Sequence, residues 1–203
     1  MPQNASFDKK TNGYTLLGNG KELKWYDNGE PYSNCEVNSA NVLDGNCSVY
    51  ARGTGIVLGS GKFKNGQRDG IWKWNFSDGK PYYVQNFTYG KKRIYWVETV
   101  WGNEDGSYQR FYNSGQLEER GLYDSGYKTS AWLKYYRNGK QEYSGFFLKD
   151  KKIKNWIYYF PSGKKEAEEF FDNAGNLLKR ITYYENGKLM CERNVPQNKL
   201  NCY

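Results

Sequence analysis

Between Trp132 and Tyr136 the side chains alternate along an extended strand. Trp132, Lys134 and Tyr136 fall on one face, and Leu133 and Tyr135 on the other. Trp156, Tyr158 and Phe160 repeat the first face one period later, while Ile157 and Tyr159 repeat the second. Four short runs set the period: Phe111-Tyr112-Asn113-Ser114-Gly115, Tyr135-Tyr136-Arg137-Asn138-Gly139, Tyr159-Phe160-Pro161-Ser162-Gly163 and Tyr183-Tyr184-Glu185-Asn186-Gly187. Each places two aromatics before x-Asn/Ser-Gly, and the glycines recur at a step of 24 residues. Asn-Gly between strand formers predicts a hairpin closed by a type I′ turn, which needs positive φ at both central positions.

A second motif interleaves with the first. Phe63 and Trp72, Phe87 and Trp96, Tyr123 and Trp132, and Phe147 and Trp156 are aromatic pairs nine residues apart. Asn65-Gly66, Tyr89-Gly90, Ser125-Gly126 and Lys149-Asp150 stand between them as turns. Phe171 continues the series with Asn173-Ala174-Gly175 as its turn, but Arg180 replaces the tryptophan. One unit is therefore two strands and two turns. Hairpins in succession predict an all-β, elongated antiparallel meander, a single sheet that twists and coils and whose units touch mainly their neighbours. The regularity breaks in two places. Between Gly79 and Gly115 the step slips by half a unit, with Asn103-Glu104-Asp105-Gly106 expected as an extra turn. Pro31–Gly53 lacks aromatic pairs and reads as a cap or a loop. The chain accordingly divides into a cap with one leading repeat (1–54), a repeat array (55–193) and a tail (194–203).

Composition supports this picture. With 20 Tyr, 7 Trp and 10 Phe the chain is poor in aliphatic core formers and suits a thin body filled by aromatic rings. Its net charge of +8 is spread over both halves rather than gathered in an arm, which argues against a dedicated nucleic-acid surface. No segment approaches the roughly 20 apolar residues of a membrane-spanning helix, and Met1–Lys10 is too polar for a signal peptide. Cys35 and Cys47 sit towards one end, and Cys191 and Cys202 towards the other. With no histidine and no Cys-x-x-Cys spacing, metal binding is disfavoured. Two local disulfides are the preferred reading, placing the chain in the periplasm, at the cell envelope or outside. The alternative is four free thiols in a cytoplasmic protein.

The runs Tyr-Tyr-x-Asn-Gly-Lys and Lys64-Asn65-Gly66-Gln67-Arg68-Asp69-Gly70-Ile71-Trp72 resemble the MORN (membrane occupation and recognition nexus) repeat. They are most similar to the variant found in bacterial toxin–antitoxin and immunity proteins. The resemblance is dense from Tyr108 to Arg193 and thinner from Gly55 to Trp101, with Trp25–Glu30 as an isolated leading unit. It departs from the pattern where the glycine before the tryptophan is kept only at Gly70, Ser130 and Asn155 standing in its place elsewhere.

The missing histidines exclude Ser-His and Cys-His nucleophiles and His-based zinc hydrolysis. Glu166, Glu168, Glu169 and Asp172 leave a carboxylate pair conceivable, but a solvated strand facing lysines is the plainer reading. No catalysis and no cofactor are expected. Lys140, Lys164 and Lys188, each after a hairpin glycine, form either a basic rail for an acidic partner or lipid headgroups, or merely a soluble edge. Tyr135, Tyr159 and Tyr183 recur at the same period and offer a recognition row. The resemblance implies an antitoxin or immunity protein that occludes a cognate toxin. The alternatives are a membrane-surface scaffold binding anionic lipid headgroups and, more weakly, a carbohydrate-binding module.

Overall fold

The computed structural model describes residues 4–9, 12–89 and 103–203, which form strands and turns with no helix among them. Trp96 and Trp101, and the turn glycine Gly90, lie outside the described residues. The chain divides into two compact units, 1–105 and 106–203.

The first unit carries β1 (Ser6–Asp8), β2 (Gly13–Gly18), β3 (Lys21–Tyr26), β4 (Pro31–Val37), β5 (Leu43–Tyr50), β6 (Val57–Lys64), β7 (Gln67–Asn75) and β8 (Pro81–Thr88). Each pairs antiparallel with the next in chain order. The second unit opens within β9 (Asn103–Phe111). It continues through β10 (Leu117–Asp124), β11 (Tyr127–Tyr135), β12 (Gln141–Leu148), β13 (Lys151–Tyr159), β14 (Lys165–Phe171), β15 (Leu177–Tyr183), β16 (Leu189–Asn194) and β17 (Lys199–Cys202). It too is an antiparallel meander from β9 to β17. The all-β hairpin meander read from the periodicity is the fold.

Three local expectations are corrected. The Asn-Gly turns are of two kinds. Asn65-Gly66, Ser125-Gly126 and Lys149-Asp150 have positive φ at both central residues, as a type I′ turn demands. At Asn138-Gly139 and Asn186-Gly187 only the glycine does, and Tyr136 and Tyr184 each exchange backbone bonds with the residues three and four ahead. That is a longer loop with one left-handed glycine and a bulge beside it, and a dipeptide cannot distinguish the two. Asn103–Gly106 is the start of β9, not a turn. Pro31–Gly53 is the β4–β5 hairpin rather than a loop, its pairing carried by Val37, Leu43 and the cysteines instead of aromatic pairs.

Both disulfides form. Cys35–Cys47 and Cys191–Cys202 each join residues directly opposite on neighbouring strands, with Cα atoms 4.0 Å apart. The first is buried with Phe63, Trp72 and Phe87 in the core of the first unit. In the second unit the most deeply buried side chains are Trp132 and Trp156. Two such disulfides fit an oxidising compartment.

Candidate functional site

The surface of the second unit stands on a repeated interior step. Trp132 lies across Gly121 of the preceding strand, and Trp156 lies across Gly145; a Cβ on either glycine would fall inside the indole. Gly61 and Trp72 make the same contact in the first unit. The indole N–H then donates to the carbonyl next to that glycine: Trp72 to Lys62 at 2.7 Å, Trp132 to Leu122 at 3.2 Å and Trp156 to Phe146 at 3.1 Å. Getting the ring there needs a kink in its own strand. Gly70, Ser130 and Lys154, each two residues before a tryptophan, have positive φ, and the ladder register shifts there. The residue in the glycine position before Trp156 is therefore Lys154, not Asn155.

The aromatic pairs nine apart close onto each other. Ring centroids are 4.9 Å apart for Phe63–Trp72, 5.2 Å for Tyr123–Trp132 and 4.7 Å for Phe147–Trp156. A cation four residues before each tryptophan covers it and reaches the aromatic of the following unit. Arg68 lies over Trp72 and Phe87, Lys128 over Trp132 and Phe147, and Lys152 over Trp156 and Phe171. Each contact of this kind is worth about 0.5–2 kcal/mol, more as it is desolvated.

Two buried carboxylates flank the rings of the second unit. Glu119 accepts from the Tyr143 hydroxyl at 2.6 Å and pairs with Lys128 at 3.5 Å. Glu169 accepts from Tyr158 at 2.8 Å and pairs with Lys152 at 3.3 Å. Burial first, and then the neighbouring carboxylate, push both phenols well above the ordinary tyrosine value.

Above this interior, the glycine-bulged turns that follow β9, β11, β13 and β15 lie at one end of the meander, and the first three are tied one to the next. The Tyr112 hydroxyl donates to the Tyr135 carbonyl at 2.7 Å, and Tyr136 donates to Tyr159 at 2.7 Å. The Asn138 amide reaches the Pro161 carbonyl at 2.8 Å, and Lys140 reaches that of Ser162 at 2.5 Å. The six residues singled out in the sequence all fall here. Tyr135, Tyr159 and Tyr183 end β11, β13 and β15, half-buried, and Lys140, Lys164 and Lys188 sit exposed in the turns that follow. Lys140 spends its ammonium on the neighbouring turn. The Tyr183 hydroxyl donates to Glu168 at 2.7 Å, and that bond, with burial second, lifts it to about 12. Burial would raise Glu168, but the bonds from Tyr183 and Lys165 outweigh it and hold the carboxyl below its ordinary value. Two of the three carboxylates of β14 are thus occupied: Glu168 by Lys165 and Tyr183, Glu169 by Tyr158 and Lys152. The sequence reading missed Tyr112, Tyr136 and the glycines under the tryptophans. The signal was present, since Gly121 and Gly145 each stand eleven residues before a tryptophan.

The model of the MORN repeat variant matches residues 68–89, 104–125, 154–173 and 177–195. No curated protein matches the chain. Among solved structures, a mutant of S. aureus TarM in complex with Fondaparinux, alpha-GlcNAc-glycerol and UDP is similar at 13% identity over 48% of this chain, with a TM-score of 0.33. Accessory secretory protein 1, 2 and 3 in Streptococcus pneumoniae is similar at 13% over 53%, with a TM-score of 0.30. The chain spans about a fifth of either, 19% in both cases.

Proposed function

We propose that this chain is an immunity protein or antitoxin that binds a cognate secreted toxin or effector and neutralises it by covering its active site, without catalysis of its own. The MORN-variant repeats support a binding or scaffold role. The observation that carries the finer reading is the row of turns at one end of the second unit, three of them braced in series by tyrosine hydroxyls, with Lys164 and Lys188 exposed. A braced surface loses little conformational entropy on binding, which favours tight occlusion of a folded target. A target buried over about 1,600 Å² would need an acidic surface facing these lysines, and association would weaken with salt. The disulfides support an encounter in the periplasm or at the cell envelope.

Co-purification with the product of the adjacent gene is the direct test. A stable complex, weakened by the joint Lys164→Glu and Lys188→Glu variant, is the expected result. Flotation with liposomes provides the contrast. Binding to anionic but not neutral vesicles, with no protein partner recovered, would replace this reading with a scaffold on anionic lipid headgroups.

A further inference from the structure

Among the described tryptophans, Trp25 alone makes no ring contact, cation contact or hydrogen bond through its side chain. It stands on β3 opposite Tyr14 of β2 and Pro31 of β4. Two adjoining cavities flank it. One, of 420 Å³, is walled by Trp25, Pro31, Asn34 and Tyr50, with Gly55 of the following loop also in its lining. The other, of 300 Å³, is walled by Trp25, Tyr14, Tyr26 and Tyr32. Both are of the size of ligand clefts. Their one charged lining residue among the described residues, Lys24, is paired with Glu22 at 2.9 Å. The Trp25 indole N–H, the Asn34 amide and the Tyr50 hydroxyl have no hydrogen-bond partner among the described residues.

We propose that this double cleft binds a proline-rich segment of another protein in the polyproline II conformation. Such a chain has about three residues per turn and no internal hydrogen bonds, so its carbonyls point outward unsatisfied. Its ridges of prolyl rings match two clefts that share the Trp25 indole, and its carbonyls match the three unpaired donors. Because the helix is preformed, little ordering cost opposes binding. Neutral walls suit a neutral ligand. A sugar could also stack on Trp25, and an oligosaccharide control separates the two ligands. The five prolines of this chain are isolated from one another, so the ligand comes from outside these residues.

Isothermal titration of the full chain with decaproline and with an alternating Ala-Pro peptide tests the inference, with an alternating Gly-Ser peptide and a soluble oligosaccharide as controls. Both proline peptides are expected to bind and both controls to fail. Trp25→Ala should weaken binding about tenfold or more. Trp25→Phe, which keeps a ring and loses the N–H, and Asn34→Ala should each weaken it severalfold, with the thermal midpoint nearly unchanged. Absence of proline-peptide binding, binding indifferent to all three substitutions, or binding of the oligosaccharide instead would each overturn it.

Discussion

Two steps of the second unit stand one period apart and are filled in opposite ways. At the first, Gly145 is bare and Trp156 lies over it, its N–H bonded to the adjacent carbonyl and Lys152 above the ring. At the second, 24 residues on, Glu169 stands where the glycine was and Arg180 where the tryptophan was, 3.8 Å apart. The backbone differs with the filling: the ladder breaks between Ser144 and Phe146 at the tryptophan step, whereas Glu169 pairs directly with Arg180. Glycine is needed only where an indole must cross the strand. Without the indole, the position accepts a carboxylate, which Tyr158 and Lys152 satisfy from the neighbouring strand. An aromatic step derives its stability from buried area, and an ionic step from paired charge that is half in water. The first should be worth several times the second.

The largest test of this contrast is truncation at both steps. Trp156→Ala is expected to cost about 3–5 kcal/mol in urea unfolding, and Arg180→Ala under about 1 kcal/mol. Equal losses would break the comparison. Next, Gly145→Ala forces a methyl into the indole and should cost about 2–3 kcal/mol. Gly139→Ala has open space around its Cβ and only a left-handed φ of 81° against it, so it should cost about 1 kcal/mol. Lys152→Met touches both steps at once, removing the cation from Trp156 and a donor from Glu169; about 1–2 kcal/mol is expected, and a loss no greater than a surface lysine's would show that the cation is not coupling them. Smallest is Tyr136→Phe, which deletes the strap to Tyr159 and should cost about 1 kcal/mol. The neighbouring unit already carries Phe160 at this position, so Phe160→Tyr should cost nothing; a loss there equal to that of Tyr136→Phe would mean the straps are incidental.

Much of this architecture was legible because it is local. The 24-residue step, the aromatic pairs nine apart and both cysteine pairs are contacts between adjacent strands, so spacing alone reports them. What escaped depends on geometry that spacing does not fix. Asn138-Gly139 and Asn65-Gly66 read alike, yet only the second has asparagine in the left-handed region. Lys154 takes the kinked position that its neighbour Asn155 suits better by residue type. The role of Lys140 was hidden because its partner is a backbone carbonyl, which no sequence pattern displays. The Trp25 clefts gave no signal either, since Trp25 holds the place in its leading repeat unit that Tyr135 and Tyr159 hold in theirs, not the place of the core tryptophans.

The Cys191–Cys202 bridge has a mechanical consequence. A strand held to its neighbour by four register pairs would peel from it easily, since its local opening free energy is far below that of the whole fold. The bridge joins β17 to β16 near the last pair, so pulling or thermal fraying at that end cannot open the ladder one bond at a time. Opening has to begin at the Val195–Asn198 turn or lift both strands together off β15. The bond thus sets the smallest piece that can come loose here at two strands rather than one, and a protease would meet a closed loop between Cys191 and Cys202.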